Sequence, residues 1–269
     1  MAFRASHVDL DVQVTARVGD SGRIARELGA NYTHVFVCGG DGTVVEAIAA
    51  LADNPAAPPV GVLAGGTGNL LARALRIPLD PWRAVRMLLH GRHATIDLGR
   101  LENGTHFAIG LGVGLDEAMI AGATSALKKR YGVFAYVHSA FKAGIRLEKF
   151  DARVTVDGTT TSCRASAILV ANLGTVVGGL ISFGKDIAHD DGLLHACIYS
   201  PGNFLDAVRI FARMLRGTAY LDRQVTVLGG REFLLETSPA RGAQADGELI
   251  GPTPLRITVR PNAGRILIP

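Results

Sequence analysis

Twice before residue 70 the chain runs a short apolar stretch straight into glycines and then into a helical pattern. Val35-Phe-Val-Cys leads to Gly39-Gly-Asp-Gly-Thr and a helical run over 44–52. Val60-Gly-Val-Leu leads to Ala64-Gly-Gly-Thr-Gly-Asn and a helical run over 70–75. Uncharged runs this short fit strands buried on both faces. Asp80-Pro81 then reads as the N-cap and first position of a further helix, to Leu89. Upstream, Val8, Leu10, Val12 and Val14 alternate with polar residues and predict a strand. A helix to Leu28 follows, with Asp20 or Ser21 as its N-cap. This order predicts a parallel sheet covered by helices over residues 1–93.

From about Ala94 the pattern changes. Strands are predicted over 95–98, 106–109, 153–156, 168–171, 193–199, 224–228, 232–236, 255–259 and 265–268. A hairpin turn is predicted at Asp157-Gly158, and helices near 133–147 and 204–215. The fold class expected is an α/β N-terminal domain with a parallel sheet (1–93), followed by a β-rich, sandwich-like domain (94–269).

Composition removes several classes. Glycine is 33 of 269 residues but shows no Gly-X-Y period, so the excess belongs to turns and not to a collagen helix. The net charge is +4, yet the one basic cluster is Lys128-Lys-Arg130, which gives no nucleic-acid footprint. Cys38, Cys163 and Cys197 are odd in number and scattered, which argues against a disulfide framework and for a reducing compartment. The first residues carry Asp9 and Asp11 and lack the apolar core of a signal peptide. The uncharged stretch 165–184 is long enough to span a membrane. Its glycines, Asn172 and short β-branched runs read instead as strand, loop, strand. The eight histidines show no zinc-ligand spacing.

The chemistry concentrates in three places. In Gly39-Gly-Asp-Gly-Thr, glycines let backbone N–H groups approach phosphate oxygens, and the following helix adds positive potential. Asp41 suits Mg²⁺ or its water, and Thr43 offers a hydroxyl. Gly65-Gly-Thr-Gly-Asn follows the next buried strand, so the two loops would share one crevice at the sheet's C-terminal edge. Neither has a Walker A lysine or the dinucleotide-fold spacing, and each alone also fits a plain tight turn. In Gln244-Ala-Asp-Gly-Glu, Asp246 and Glu248 fall on one side of an extended chain, which suits a base beside a metal ligand; Asp-Gly is equally a simple turn. A fourth feature lies over 204–215. Phe204, Val208, Phe211 and Leu215 form a helical stripe with Arg209, Arg213 and Arg216 off it, fitting either an anionic lipid surface or packing on the β domain.

Gly39-Gly-Asp-Gly-Thr, Gly65-Gly-Thr-Gly-Asn-Leu-Leu-Ala-Arg, Asp190-Asp-Gly-Leu-Leu and Ala245-Asp-Gly-Glu, in this order, resemble the bacterial diacylglycerol kinase and lipid kinase family. That family is related to sphingosine kinases and, more distantly, to NAD kinases and phosphofructokinases. The resemblance runs from about Thr15 to Pro269. It implies a nucleotide-binding α/β domain, a β-rich domain and an active site between them. It implies ATP contacts at Thr15, at Gly39, Gly40, Asp41, Gly42, Thr43, Val44, Val45 and Glu46, and at Gly66, Thr67, Gly68 and Asn69. It implies Asp246 as proton acceptor, Asp116 near the lipid head, and a Mg²⁺ site at Ala188, Asp191, Leu193 and Glu248. The activity implied is ATP- and Mg²⁺-dependent phosphorylation of the hydroxyl of diacylglycerol or a related lipid, within phospholipid metabolism. The implied setting is the cytoplasm, with peripheral contact at the membrane's inner face; a homodimer is left open. Family members begin with a strand ending in Asn-Pro-x-(Ser/Gly)-Gly, and no such segment precedes Val8. That departure keeps open a catalytically impaired lipid- or nucleotide-binding module; an NAD kinase is the other alternative.

Overall fold

The structure, a computed structural model, describes residues 8–52, 54–114, 148–176, 181–184 and 187–269. The expected helix near 133–147, the basic cluster 128–130 and Asp116 lie outside the described residues. Helix α1 (Asp20–Leu28), strand β1 (Val35–Gly39), α2 (Asp41–Leu51), β2 (Val60–Ala64), α3 (Leu70–Ala74) and α4 (Pro81–Leu88) follow the predicted order. Asp80 caps α4, accepting from the Arg83 N–H at 2.8 Å. α1 differs in detail: Gly19, at φ 87°, is its N-cap, while the Asp20 carboxylate turns back to accept from Ala16 and Arg17 N–H. Residues 8–14 form no strand, and Val12 and Val14 are exposed. Alternation makes a strand only where a neighbouring ladder satisfies the backbone, and among the described residues β1 pairs with β2 alone.

The remaining strands are β3 (Arg92–Leu101), β4 (His106–Phe107), β5 (Gly110–Val113), β6 (Phe150–Val156), β7 (Thr159–Ala165), β8 (Ala167–Ala171), β9 (Thr175–Val176), β10 (Ile181–Ser182), β11 (Leu194–Tyr199), β12 (Val225–Gly230), β13 (Glu232–Ser238), β14 (Gly242–Ala245), β15 (Glu248–Pro252) and β16 (Leu255–Ile268). Helix α5 (Phe204–Leu215) separates β11 from β12. The β6–β7 hairpin turns at Asp157 and Gly158, both at positive φ, the geometry that an Asp-Gly pair favours.

Among the described residues, β9 and β10 form a separate antiparallel pair and two large sheets organise the chain. One is the six-stranded antiparallel sheet β12-β11-β8-β5-β14-β15; the other is mixed, with β1-β2-β16-β13-β6-β7 as its main path and β3 and β4 on β16. β16 serves both halves. Its early residues pair with β13, and Ile266 near its end pairs in parallel with Val60 of β2 and antiparallel with Ala94 of β3. One core therefore joins Val37, Val62, Ile48 and Leu71 to Ile266 and Leu267 from the far end of the sequence. A second core, with Phe107, Leu111, Phe150, Ile168, Ile198 and Leu235, fills the space between the sheets as in a sandwich. Residues 165–176 and 181–184 are strand and loop, and among the described residues no helix is long and apolar enough to cross a membrane.

Candidate active site

β1 and β2 run parallel and in register, Gly39 opposite Ala64, so both glycine loops leave the same sheet edge. They touch backbone to backbone. A Cβ on Gly66 would lie 2.5 Å from the Gly40 Cα, closer than real Cβ atoms come, so glycine is required there. The second loop is closed by Asn69, at φ 47°. Its side-chain oxygen accepts from Gly66 N–H at 2.9 Å and its amide donates to Gly66 C=O at 2.8 Å. Arg73 Nε adds a bond to Gly68 C=O. Thr67 is exposed at the loop tip.

Asp41 joins the two loops. Its Oδ1 accepts from Leu71 N–H at 3.0 Å and so caps α3, not its own helix. No side chain caps the N-terminus of α2, which leaves its first amides facing outward from Gly40–Thr43 with the positive end of the helix dipole. Val44 and Val45 follow at the start of α2, and Val45 also lines the cleft described below. Both side chains are buried in the first core, and the Val44 N–H is already bonded to Gly40 C=O. Glu46 Oε1 accepts from Gly19 N–H and ties α1 to α2. Thr15 is exposed ahead of α1 and is not among the cleft-lining residues.

A cleft of about 270 Å³ opens between α2 and the β14–β15 hairpin, lined by Gly42, Glu46, Thr105, His106, Asp246 and Glu248 among others. Asp246 and Gly247, both at positive φ, make the hairpin turn. The Asp246 carboxylate also holds the β4–β5 connection: Oδ2 accepts from Ala108 N–H at 2.7 Å, and Oδ1 from Ile109 at 3.0 Å and Gly110 at 2.9 Å. Burial pushes its pKa up to about 6; the three N–H donors oppose that shift, and the charge of Asp41 adds to it. The Asp of the first loop is thus electrostatically coupled to the late Asp-Gly-Glu. Glu248 is exposed, with Oε1 only 2.8 Å from where a Gly42 Cβ would stand, so its carboxylate lies over the start of α2. A larger hollow of about 460 Å³, between Asp151 and Ser238 on β6, β7 and β13, contains none of these residues.

The residues expected to hold a metal lie on different elements. Asp191 turns into its own loop, accepting from Ala188 N–H at 3.3 Å and Leu193 N–H at 2.9 Å. Glu248 begins β15, four strand spacings across the sheet from β11, which the Asp191 loop enters. At the usual spacing that is about 19 Å. Among the described residues no three His, Cys, Asp or Glu side chains converge to hold a metal ion. Asp191 and Glu248 thus each have their own surroundings, Asp191 within its loop and Glu248 over the start of α2.

Sequence reasoning missed Asp97, which is fully buried. It accepts from Gly192 N–H and Asn262 N–H, both at 2.6 Å, and fastens the Asp190–Gly192 turn to β16. Burial, with the charges of Asp191 and Asp190, holds its carboxyl above the usual range despite those two donors. Asn172, also fully buried, donates to Asp97 C=O and Ala108 C=O and so links this turn to the residues held by Asp246. The available signal was a lone charge inside the apolar run Ile96-Asp97-Leu98.

Comparison with known proteins bears on this geometry. Residues 1–101 match the family model described as the diacylglycerol kinase catalytic domain. Residues 110–268 match that of the YegS C-terminal NAD kinase beta sandwich-like domain. The chain belongs to this lipid kinase family. Among relatives of the family, an uncharacterized Synechocystis protein is 29% identical over 245 residues, covering 90% of this chain. The chain spans 56% of that relative's length. A Staphylococcus aureus (strain Mu3) protein named "Putative lipid kinase" is 28% identical over 265 residues, 96% of this chain and 86% of its own. A crystal structure described as "a putative diacylglycerol kinase from Bacillus anthracis str. Sterne" superposes with a TM-score of 0.82 at 22% identity, covering 100% of this chain and 88% of the other. At that identity the structural likeness speaks for the fold.

Proposed function

We propose that the protein transfers the γ-phosphoryl group of ATP to the hydroxyl of diacylglycerol or a related lipid. One observation carries the reading. The cleft that exposes Gly42, at the uncapped start of α2, also holds the Asp246 carboxylate, fixed by three backbone N–H groups. Phosphoryl transfer asks a protein mainly for alignment, stabilisation of phosphate charge and modest help in removing the acceptor's proton. The amides of the 39–43 loop supply the first two, with Asn69 and Arg73 bracing the adjoining loop and Asp41 tying the two together. Asp246 is assigned as base. A carboxylate with a pKa near 6 is largely ionised at pH 7 yet basic enough to accept a proton. Glu248, over the start of α2, must give way when phosphate arrives, since two anions cannot share one helix terminus cheaply. Mg²⁺ enters this reading only with the nucleotide's phosphates; no step is assigned to a protein-held ion.

The test is transfer of labelled γ-phosphate to a panel of dispersed lipids, with NAD as a control acceptor. The proposal expects a labelled lipid monoester and no labelled NAD. Label appearing on NAD alone, or ATP bound without transfer to any lipid, overturns it.

A further inference from the structure

Among the described residues, α5 packs through the side that carries Ile210. Ile210 is buried with Cys197, Tyr199 and Val225. Beside it, Arg209 bonds Asp222 at 2.8 Å, Asp206 at 2.6 Å and Gln224 at 3.0 Å, and Asn203 caps the first turn at Asp206 N–H. These contacts fix the helix and its rotation. Of the apolar stripe, Val208 is 43% exposed and Leu215 46%, while Phe211 is half-buried; Leu205, beside the stripe, is 75% exposed. Leu221, on the short turn that follows, is 62% exposed. Half of the sequence expectation, a face packed on the β domain, is met by Ile210 and not by the stripe.

We propose that this face docks on an anionic phospholipid bilayer. The flanking charge selects that occupant. Residues 201–224 carry four arginines and no lysine, against Asp206 and Asp222. Both aspartates are buried, Asp206 under Arg209 and Asp222 under Arg209 and Arg213. Arg216 and Arg223 are exposed beside the apolar residues. A helix with leucine and phenylalanine on one face and arginine along its border lies in the plane of a lipid interface, its apolar side chains below the headgroups. A second copy is a poorer occupant, because a twofold pairing of two such faces sets arginines against arginines. The proposal goes beyond the reaction assigned above and does not depend on it.

The experiment is flotation of the full chain with vesicles, without ATP or acceptor lipid, so its result is independent of any kinase activity. Vesicles of equimolar phosphatidylglycerol and phosphatidylcholine are compared with vesicles of phosphatidylcholine alone. The parent should float with the anionic vesicles and weakly with the neutral ones. Leu205→Gln with Val208→Gln should lower the partition about tenfold or more. Arg216→Gln with Arg223→Gln should lower it about tenfold on anionic vesicles only. Unchanged melting temperatures exclude loss of fold, and Leu205→Asn alone, at the most exposed position, serves if the double variant does not fold. A parent that stays with the protein-only fraction, variants that float like the parent, or a parent dimer that Leu205→Gln with Val208→Gln breaks apart would each overturn the proposal.

Discussion

Asp246 carries two demands at once, and they shape what its substitution does. Its oxygens accept three backbone N–H groups, and no amide can replace them fully: Asn would set its NH₂ against at least one of those donors. Asp246→Asn should therefore lower the melting temperature by several degrees, from one unsatisfied buried group costing about 1–3 kcal/mol. It should also cut kcat by roughly 10²–10⁴ with ATP binding near normal. The pH profile separates the two effects. The native carboxyl titrates near 6, above its ordinary 3.8. The rate should climb as pH rises through about 6, and the Asn variant's residual rate should lack that limb. Stability runs the opposite way. Folding favours the protonated form, so this group's contribution is complete below about pH 4 and is lost as pH rises through about 6. Asp41→Asn tests the coupling: it keeps an acceptor for Leu71 N–H but removes a charge that helps raise Asp246. Its rate limb should move to lower pH; a limb that stays in place would mean the two sites do not interact.

At the scale of elements, the long buried strands and the capped helices were legible because each is specified locally. α4 carries its own Asp-Pro start, α5 its Asn cap, and the β6–β7 hairpin its Asp-Gly turn. β5, β14 and β15 were harder to read, since four-residue runs such as Gly110-Leu-Gly-Val owe their pairing to neighbours far away in sequence. Residues 8–14 fail in the opposite sense, having the pattern but no described ladder. The two glycine loops were legible as a pair. That the first loop's Asp caps the helix after the second was not, because a bond between residues 41 and 71 has no local signature. Gly66→Ala probes this contact. Its Cβ would meet the Gly40 backbone, which has no rotamer to yield, so the loops must part. The expected result is a loss of about 1–3 kcal/mol in stability together with a roughly tenfold or greater rise in the KM for ATP. A variant with parental ATP affinity would show that the loops need not touch to bind nucleotide.

The whole molecule is held together by its last strand. The sequence divides in character near residue 93, and the sheets do not follow that division. Ile266 sits between β2 and β3, and Ala263, Ile266 and Leu267 are buried with Val37, Val62 and Ile48. Asp97 strengthens the same junction by bonding Asn262 and Gly192 at once. Local pattern could not reveal this, because Arg265–Ile268 reads as one more apolar strand with nothing to say which sheet it joins. A fragment ending at residue 93 would leave β2 without its neighbour on one side and expose Val60, Val62 and Ile48, all nearly inaccessible in the full chain. Burial of three such side chains is worth roughly 1.5–3 kcal/mol each, comparable with the whole stability of a small domain. The fragment should therefore show no cooperative thermal transition and little dispersion in its amide spectrum. The full chain should melt with both cores lost together, followed by circular dichroism and by tryptophan emission from Trp82, the single tryptophan, on α4. Independent, cooperative folding of residues 1–93 would show that the C-terminal strand is an accessory to the α/β core and not part of it.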